Sequence, residues 1–293
     1  MTKRWGMGLV ALGLLAPGLT ACGHDPVAAP TSPPSAMASP TATYDPTLPP
    51  ARAVLALVPH DATTLSITDF DQVRAQYGAE PGDPGFWQDA TKHSPLLSTG
   101  MLRPYAPQLR GFGPDDVAWE AHYSGADATS AGWVLAFGPQ ADMGAVRQAA
   151  AADAGPLAGA VVDTGSRIVS SRTLAADDAG WADVAALVTG PEAEATYVAR
   201  GCLPGDDQGQ RLEPLDAYAV SFGQTLATAY LGADRDDLFV RLRLGDGVPG
   251  FRTAFTHGAA DPGTGRIGYR MTDPVDAAQQ ALRGKLPFAI CGS

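Results

Sequence analysis

The 293-residue sequence predicts an α+β fold, with largely antiparallel sheets and helices packed on one side of them. Three observations carry this. Apolar residues alternate over Val117–Tyr123 and again over Trp133–Phe137, close enough to pair as a hairpin. Helical apolar spacing starts at aspartates that suit the N-cap position, Asp69, Asp142 and Asp273. Strand-like segments come in consecutive runs, which favours α+β over a doubly wound sheet.

Taken in order, the chain opens with Lys3 and Arg4 and then a short apolar run, Gly6–Leu19. The run is too short to cross a bilayer comfortably. It ends in Leu19-Thr20-Ala21-Cys22: an apolar residue, two small residues and a cysteine. This resembles the lipobox of bacterial prolipoproteins, in which the thiol receives a diacylglyceryl group and the chain is cut just before it. The resemblance implies a signal peptide at 1–21 and lipidation of Cys22. It also implies the membrane as a partner, reached through the N-terminal lipid from the outer face of the cytoplasmic membrane and facing the cell wall. Two other readings of these residues are a secretory signal cut elsewhere, with Cys22 a spare thiol, and a retained membrane anchor. Pro17 and the shortness of the run count against the second.

From Cys22 to Pro50 the sequence is dominated by Pro, Ala, Ser and Thr and has no apolar period. Proline removes donors and stiffens the backbone, so the expectation is a disordered linker. Extended, it would reach on the order of 80 Å at about 3.1 Å per residue. Its Ser/Thr/Pro content also suits O-glycosylation.

The globular part is expected from Ala51, as a first α+β lobe over 51–172 and a second over 173–293, which can also form one domain. In the first, Ala62–Thr68 reads as a strand. Phe70, Val73 and Tyr77 follow at helical spacing, and Gly78 stops the helix. Phe86–Phe112 reads as short helices broken by Pro95, Pro104 and Pro107. In the hairpin, Trp119 and Trp133 are expected on one core face, with Glu120 and His122 on the other. A helix follows Asp142, and Gly159–Val162 pairs with Ile168–Ser170 around Thr164-Gly165.

In the second lobe Trp181–Val188 reads as a helix. Thr196–Cys202, Ala217–Phe222, Leu226–Leu231 and Leu238–Leu244 read as strands. Phe251–Phe255 reads as a short helix or loop and Arg266–Met271 as a strand. Asp273-Pro274 opens a helix to Leu282, and Pro287–Cys291 closes as a strand. Ile67-Thr68-Asp69 and Met271-Thr272-Asp273 echo each other at strand–helix junctions. The echo fits two related lobes; it also fits the plain use of Asp as a cap.

The formal net charge is -11, and loss of the signal would make the chain more acidic, since Lys3 and Arg4 go with it. This excludes nucleic acid as an expected partner and argues against electrostatic docking on anionic lipid. With Cys22 acylated, the other two of the 3 cysteines, Cys202 and Cys291, have one possible pairing. A disulfide is expected between them.

Motifs for chemistry are incomplete. Asp163-Thr164-Gly165-Ser166 matches the short aspartic-protease signature, but no second copy exists, and a tight hairpin explains it. Ala219-Val220-Ser221-Phe222-Gly223 nearly matches the nucleophile elbow, with Asp234 or Asp246 and His257 following in hydrolase order. The first glycine is missing, and a strand instead of a helix follows. Asp206-Asp207 and Asp234-Arg235-Asp236-Asp237 lack the spacing of a calcium loop and read as solvated turns. The five histidines show no ligand spacing, and Gly111-Phe112-Gly113 is not a phosphate loop. No catalytic residue, cofactor site or metal site is therefore expected.

The body itself resembles secreted actinobacterial lipoproteins that open with Val-Pro-x-Asp-Ala, here Val58-Pro59-His60-Asp61-Ala62, over about twenty residues to Gly78. That resemblance implies an extracytoplasmic location and no particular activity. The expected role is a lipid-anchored, non-enzymatic binding or interaction module with a protein or small-molecule ligand. The alternatives are a carrier for an apolar ligand held between sheet and helices, and a cell-envelope hydrolase using Ser221 or Asp163.

Overall fold

A single antiparallel sheet of ten strands runs through the whole body of the protein. The computed structural model describes residues 44–127, 130–152, 155–172, 180–188, 193–205, 207 and 209–292. The expected signal segment 1–21, Cys22 and the expected linker as far as Thr43 lie outside the described residues. Among those described, no helix is long and apolar enough to cross a membrane.

In chain order the elements are α1 (Pro50–Ala53), β1 (Ala62–Asp69), α2 (Phe70–Tyr77), α3 (Phe86–His93), β2 (Val117–Gly125), β3 (Gly132–Phe137), α4 (Met143–Ala151), β4 (Val161–Asp163) and β5 (Ile168–Ser170). There follow β6 (Ala195–Arg200), β7 (Ala217–Phe222), β8 (Leu226–Tyr230), α5 (Leu238–Leu244), α6 (Pro249–Ala254), β9 (Phe255–Asp261), β10 (Arg266–Met271) and α7 (Pro274–Leu282). The expected caps form. Asp69, Asp142 and Asp273 accept from backbone N–H groups of the first turns of α2, α4 and α7. Gly78 ends α2 in the left-handed region at φ 59°.

The strand order is β4-β5-β3-β2-β1-β6-β7-β8-β10-β9, and every neighbouring pair is antiparallel. Outward from the central β1–β6 pair, the two halves repeat. Each lays down three consecutive strands, crosses over by helix, and returns as a hairpin whose second strand docks first. The repeat matches β1 with β6 and β5 with β10. The short echo between β1 and the end of β10 therefore aligns non-equivalent strands, and capping by Asp explains it.

Alternation along the strands gives the sheet two different faces. One carries Leu65, Ile67, Trp119, Ala121 and Val198, covered by Val54 and Leu55 after α1, by Trp181, and by Val184 and Val188 in the 3-10 segment Ala182–Val188. The other carries Leu135 and Phe137 beneath α4, and Tyr218, Phe222, Ile267 and Tyr269 beneath α5–α7.

Several expectations are corrected. Leu238–Leu244 is helical, because its buried residues are Leu238, Arg241 and Leu244, a helical period hidden by a charged member. Pro287–Cys291 is not a strand: Pro287–Ala289 is a 3-10 turn, and only a single bridge joins Leu203 to Ile290. The polar edge strand β9 had no apolar alternation to announce it. Trp119 and Trp133 lie on opposite faces, since Trp133 pairs with His122 and Trp119 with Ala136. Glu120, on the face opposite Trp119 as expected, is buried there: its carboxylate accepts from the Met101 amide (2.9 Å), the Ser98 hydroxyl and His122 Nε2 (2.5 Å). The last residues of the expected linker are ordered, with Tyr44 against Trp119 at 6.5 Å between ring centroids.

Candidate functional site

The helical layer of the second half carries two openings, and α6 divides them. Pro249 starts α6, where a missing N–H costs nothing. Phe251 on its inner side is buried, stacked on Phe255 at 4.5 Å and edge-on to Tyr269 at 5.2 Å.

On one side, between α6, α7 and the Pro287 turn, lies a cleft of about 460 Å³. Leu244, Val248, Phe251, Leu286, Pro287 and Ile290 give it an apolar wall. Its polar groups include Gln280, whose Nε2 donates to Gly250 O at 3.3 Å, and Lys285. On the other side, between α5, α6 and β9, lies a second cleft of about 380 Å³. It is the more polar of the two, with Arg243, Asp246, Arg252 and His257 in its lining.

The wall of the first cleft is fixed from behind. Arg241, fully buried, donates to Phe288 O and Ile290 O at 2.9 Å each and to Glu213 O at 2.7 Å. Its Nε donates to Asp237 Oδ2 at 2.6 Å, and Arg235 donates to both Asp237 oxygens at 2.9 Å. Burial pushes the Asp237 carboxyl up, but hydrogen bonds from Arg235, the Glu213 amide and Arg241 outweigh it and hold it below the ordinary carboxylate value. Beside this network the Cys202 and Cys291 sulfurs stand at bonding distance, 2.05 Å, with their Cα atoms 5.0 Å apart.

The other sequence candidates are scattered. Cys22 and Asp206 lie outside the described residues. Asp163 caps its own turn: its carboxylate accepts from Ser166 Oγ (2.6 Å), Ser166 N (3.2 Å) and Gly165 N (2.9 Å), which hold it below its ordinary value. Ser221 is mostly buried on β7 and lines two pockets, neither of which has a histidine in its lining. His257 is three strand spacings away on β9, roughly 14 Å at about 4.8 Å per step. No hydrolase triad is assembled from these residues. Asp237 and Asp207 are buried, so the acidic clusters are not simply solvated turns; Asp207 accepts from Gly209 N at 3.0 Å. Among the described residues no group of three or more His, Cys, Asp or Glu could hold a metal ion.

Sequence reasoning missed the Arg241–Asp237 network. Its signal was present in Leu238-Phe239-Val240-Arg241-Leu242, an arginine at the core position of a helical period. It also missed Glu194, a carboxyl buried among uncharged groups and pushed up to about 7 by that burial. Comparison of the chain with known protein families, with curated proteins and with solved structures gives no match in any of the three.

Proposed function

We propose that this chain is a lipid-anchored binding module on the outer face of the cytoplasmic membrane, and that the cleft between α6, α7 and the Pro287 turn receives the apolar part of a small ligand. The observation that carries this is the cleft itself. Its volume of about 460 Å³ lies in the range of small-molecule sites, and its lining is apolar with a few placed polar groups. The wall behind it is braced by Arg241 and by the Cys202–Cys291 pair, so the shape is largely preformed. A carrier with its ligand between sheet and helices fits less well, because Tyr218, Phe222, Ile267 and Phe288 fill that space. A hydrolase built on Ser221 or Asp163 has the positions described above against it.

The test has two arms. The chain starting at Tyr44 is titrated with the fluorescent fatty acid cis-parinaric acid, beside Val248→Glu, a change at a partly exposed lining position. Saturable binding weakened at least tenfold by the variant is expected; equal binding by both would remove the cleft from the reading. In the second arm, Cys22→Ala is compared with the parent by detergent phase partition. Partition into the detergent phase unchanged from the parent would refute the anchor.

A further inference from the structure

We infer that the second cleft, between α5, α6 and β9, binds a small anionic group of the phosphate type, independently of the apolar cleft across α6. Three observations converge on it. The first is charge. The chain has a net charge of -11, yet this lining holds two guanidiniums, Arg243 and Arg252, and the imidazole of His257 against one carboxylate, Asp246. Both arginines are exposed, and among the described residues neither forms an ion pair. Two unpaired guanidiniums lining one concavity beside a single carboxylate leave donors for an outside acceptor.

The second observation is backbone strain. Strand β9 pairs Ala259 with Gly268 and Thr256 with Arg270, so His257 and Gly258 together stand opposite Tyr269. This is a bulge, and His257 occupies the left-handed region at φ 50°, which side chains with a Cβ rarely adopt. Bulges re-aim side chains, and strained residues that persist are held by their surroundings. Here the bulged residue is one of the cleft's own nitrogen-bearing side chains.

The third is the fit of the bulge. A Cβ on Gly258 would lie 2.8 Å from Tyr269 Cε1 and closer still to Leu242 Cδ1. Glycine therefore lets β9 close onto α5 and the buried Tyr269, which brings His257 to the same cleft as the arginines. The arrangement suits a compact anion with several acceptor oxygens, because two planar guanidiniums and a ring N–H can each donate to it. A phosphate offers such oxygens both as free phosphate and in a phospholipid headgroup.

The experiment uses the full lipidated chain in nanodiscs of phosphatidylcholine, titrated with inorganic phosphate by calorimetry. Saturable binding is expected, weakened about tenfold or more by Arg243→Gln and by Arg252→Gln, since a hydrogen bond to a charged group contributes on the order of the energy that separates affinities tenfold. Asp246→Asn should tighten binding several-fold, an effect that damage to the fold would not produce. Nanodiscs containing phosphatidylglycerol separate the sources. If the headgroup is a ligand, phosphate binds more weakly there in the parent; if only the free anion binds, affinity is the same in both lipids. Either result upholds the site. Absence of saturable binding in phosphatidylcholine discs, or binding unchanged in both arginine variants, overturns it.

Discussion

Glu194→Gln should stabilise the protein at alkaline pH and leave it nearly unchanged in acid. Glu194 sits just before β6, and its backbone oxygen accepts from Asp69 N at 2.9 Å where the two halves meet. Its side chain is buried, hydrogen-bonded by Ser94, and no cation stands among its partners in the described residues. Burial is the main cause that lifts its pKa from an ordinary 4.5 to about 7. Below 4.5 the carboxyl is neutral whether the chain is folded or not, and the group's full contribution is present. Between 4.5 and about 7 the unfolded chain ionises freely while the folded chain resists, so stability falls as pH rises. Above about 7 the contribution is lost. At about 1.4 kcal/mol per pH unit the whole interval is worth about 3 kcal/mol. The Gln76 amide, turned to donate to the carboxylate, its nitrogen 3.2 Å from Oε2, eases the burial of the charge. We therefore expect about 2 kcal/mol. Urea unfolding of parent and variant at pH 5 and pH 8 measures it. The variant should gain about that amount at pH 8 and little at pH 5. An equal shift at both values, or no gain at pH 8, would refute the linkage.

Two further outcomes follow from the network behind the apolar cleft. Arg241→Met should destabilise by about 3 kcal/mol, the lower end for breaking a buried pair, because Arg235 still faces Asp237. An unchanged urea midpoint would show that the network contributes nothing net. Replacing Cys202 and Cys291 together by serine opens a bond spanning 89 residues, for which the chain-entropy limit is about 4.5 kcal/mol. Unfolding in the presence and absence of reductant should reproduce that loss in the parent and not in the variant.

The sequence made the first half largely legible. Its strands alternate, α2 and α4 begin at Asp, and Gly78 ends α2. Local signals failed where the physics was not local. Arg241 broke an apolar pattern that its partners on distant segments restore. A bulge between Val117 and Trp119 shifted register, so inward and outward positions could not be counted from one strand to the next. The candidate clefts were the least legible part. Their linings come from α5, α6, β9, α7 and the C-terminal turn, brought together only by the return of the second hairpin to the sheet. The pairing of Cys202 with Cys291 was the exception, because setting Cys22 aside as the expected lipidation site leaves two cysteines with one partner each.

Tyr44 lies against Trp119, on the sheet face that α5–α7 do not cover. A pull arriving through the residues before Tyr44 thus enters near the middle of the sheet and on its far side. There it meets β2 and β1, whose ladder spreads a load over many hydrogen bonds in parallel. The helices that border the two clefts stand outside that line of force. A load entering at Tyr44 therefore leaves the openings on the opposite face in shape.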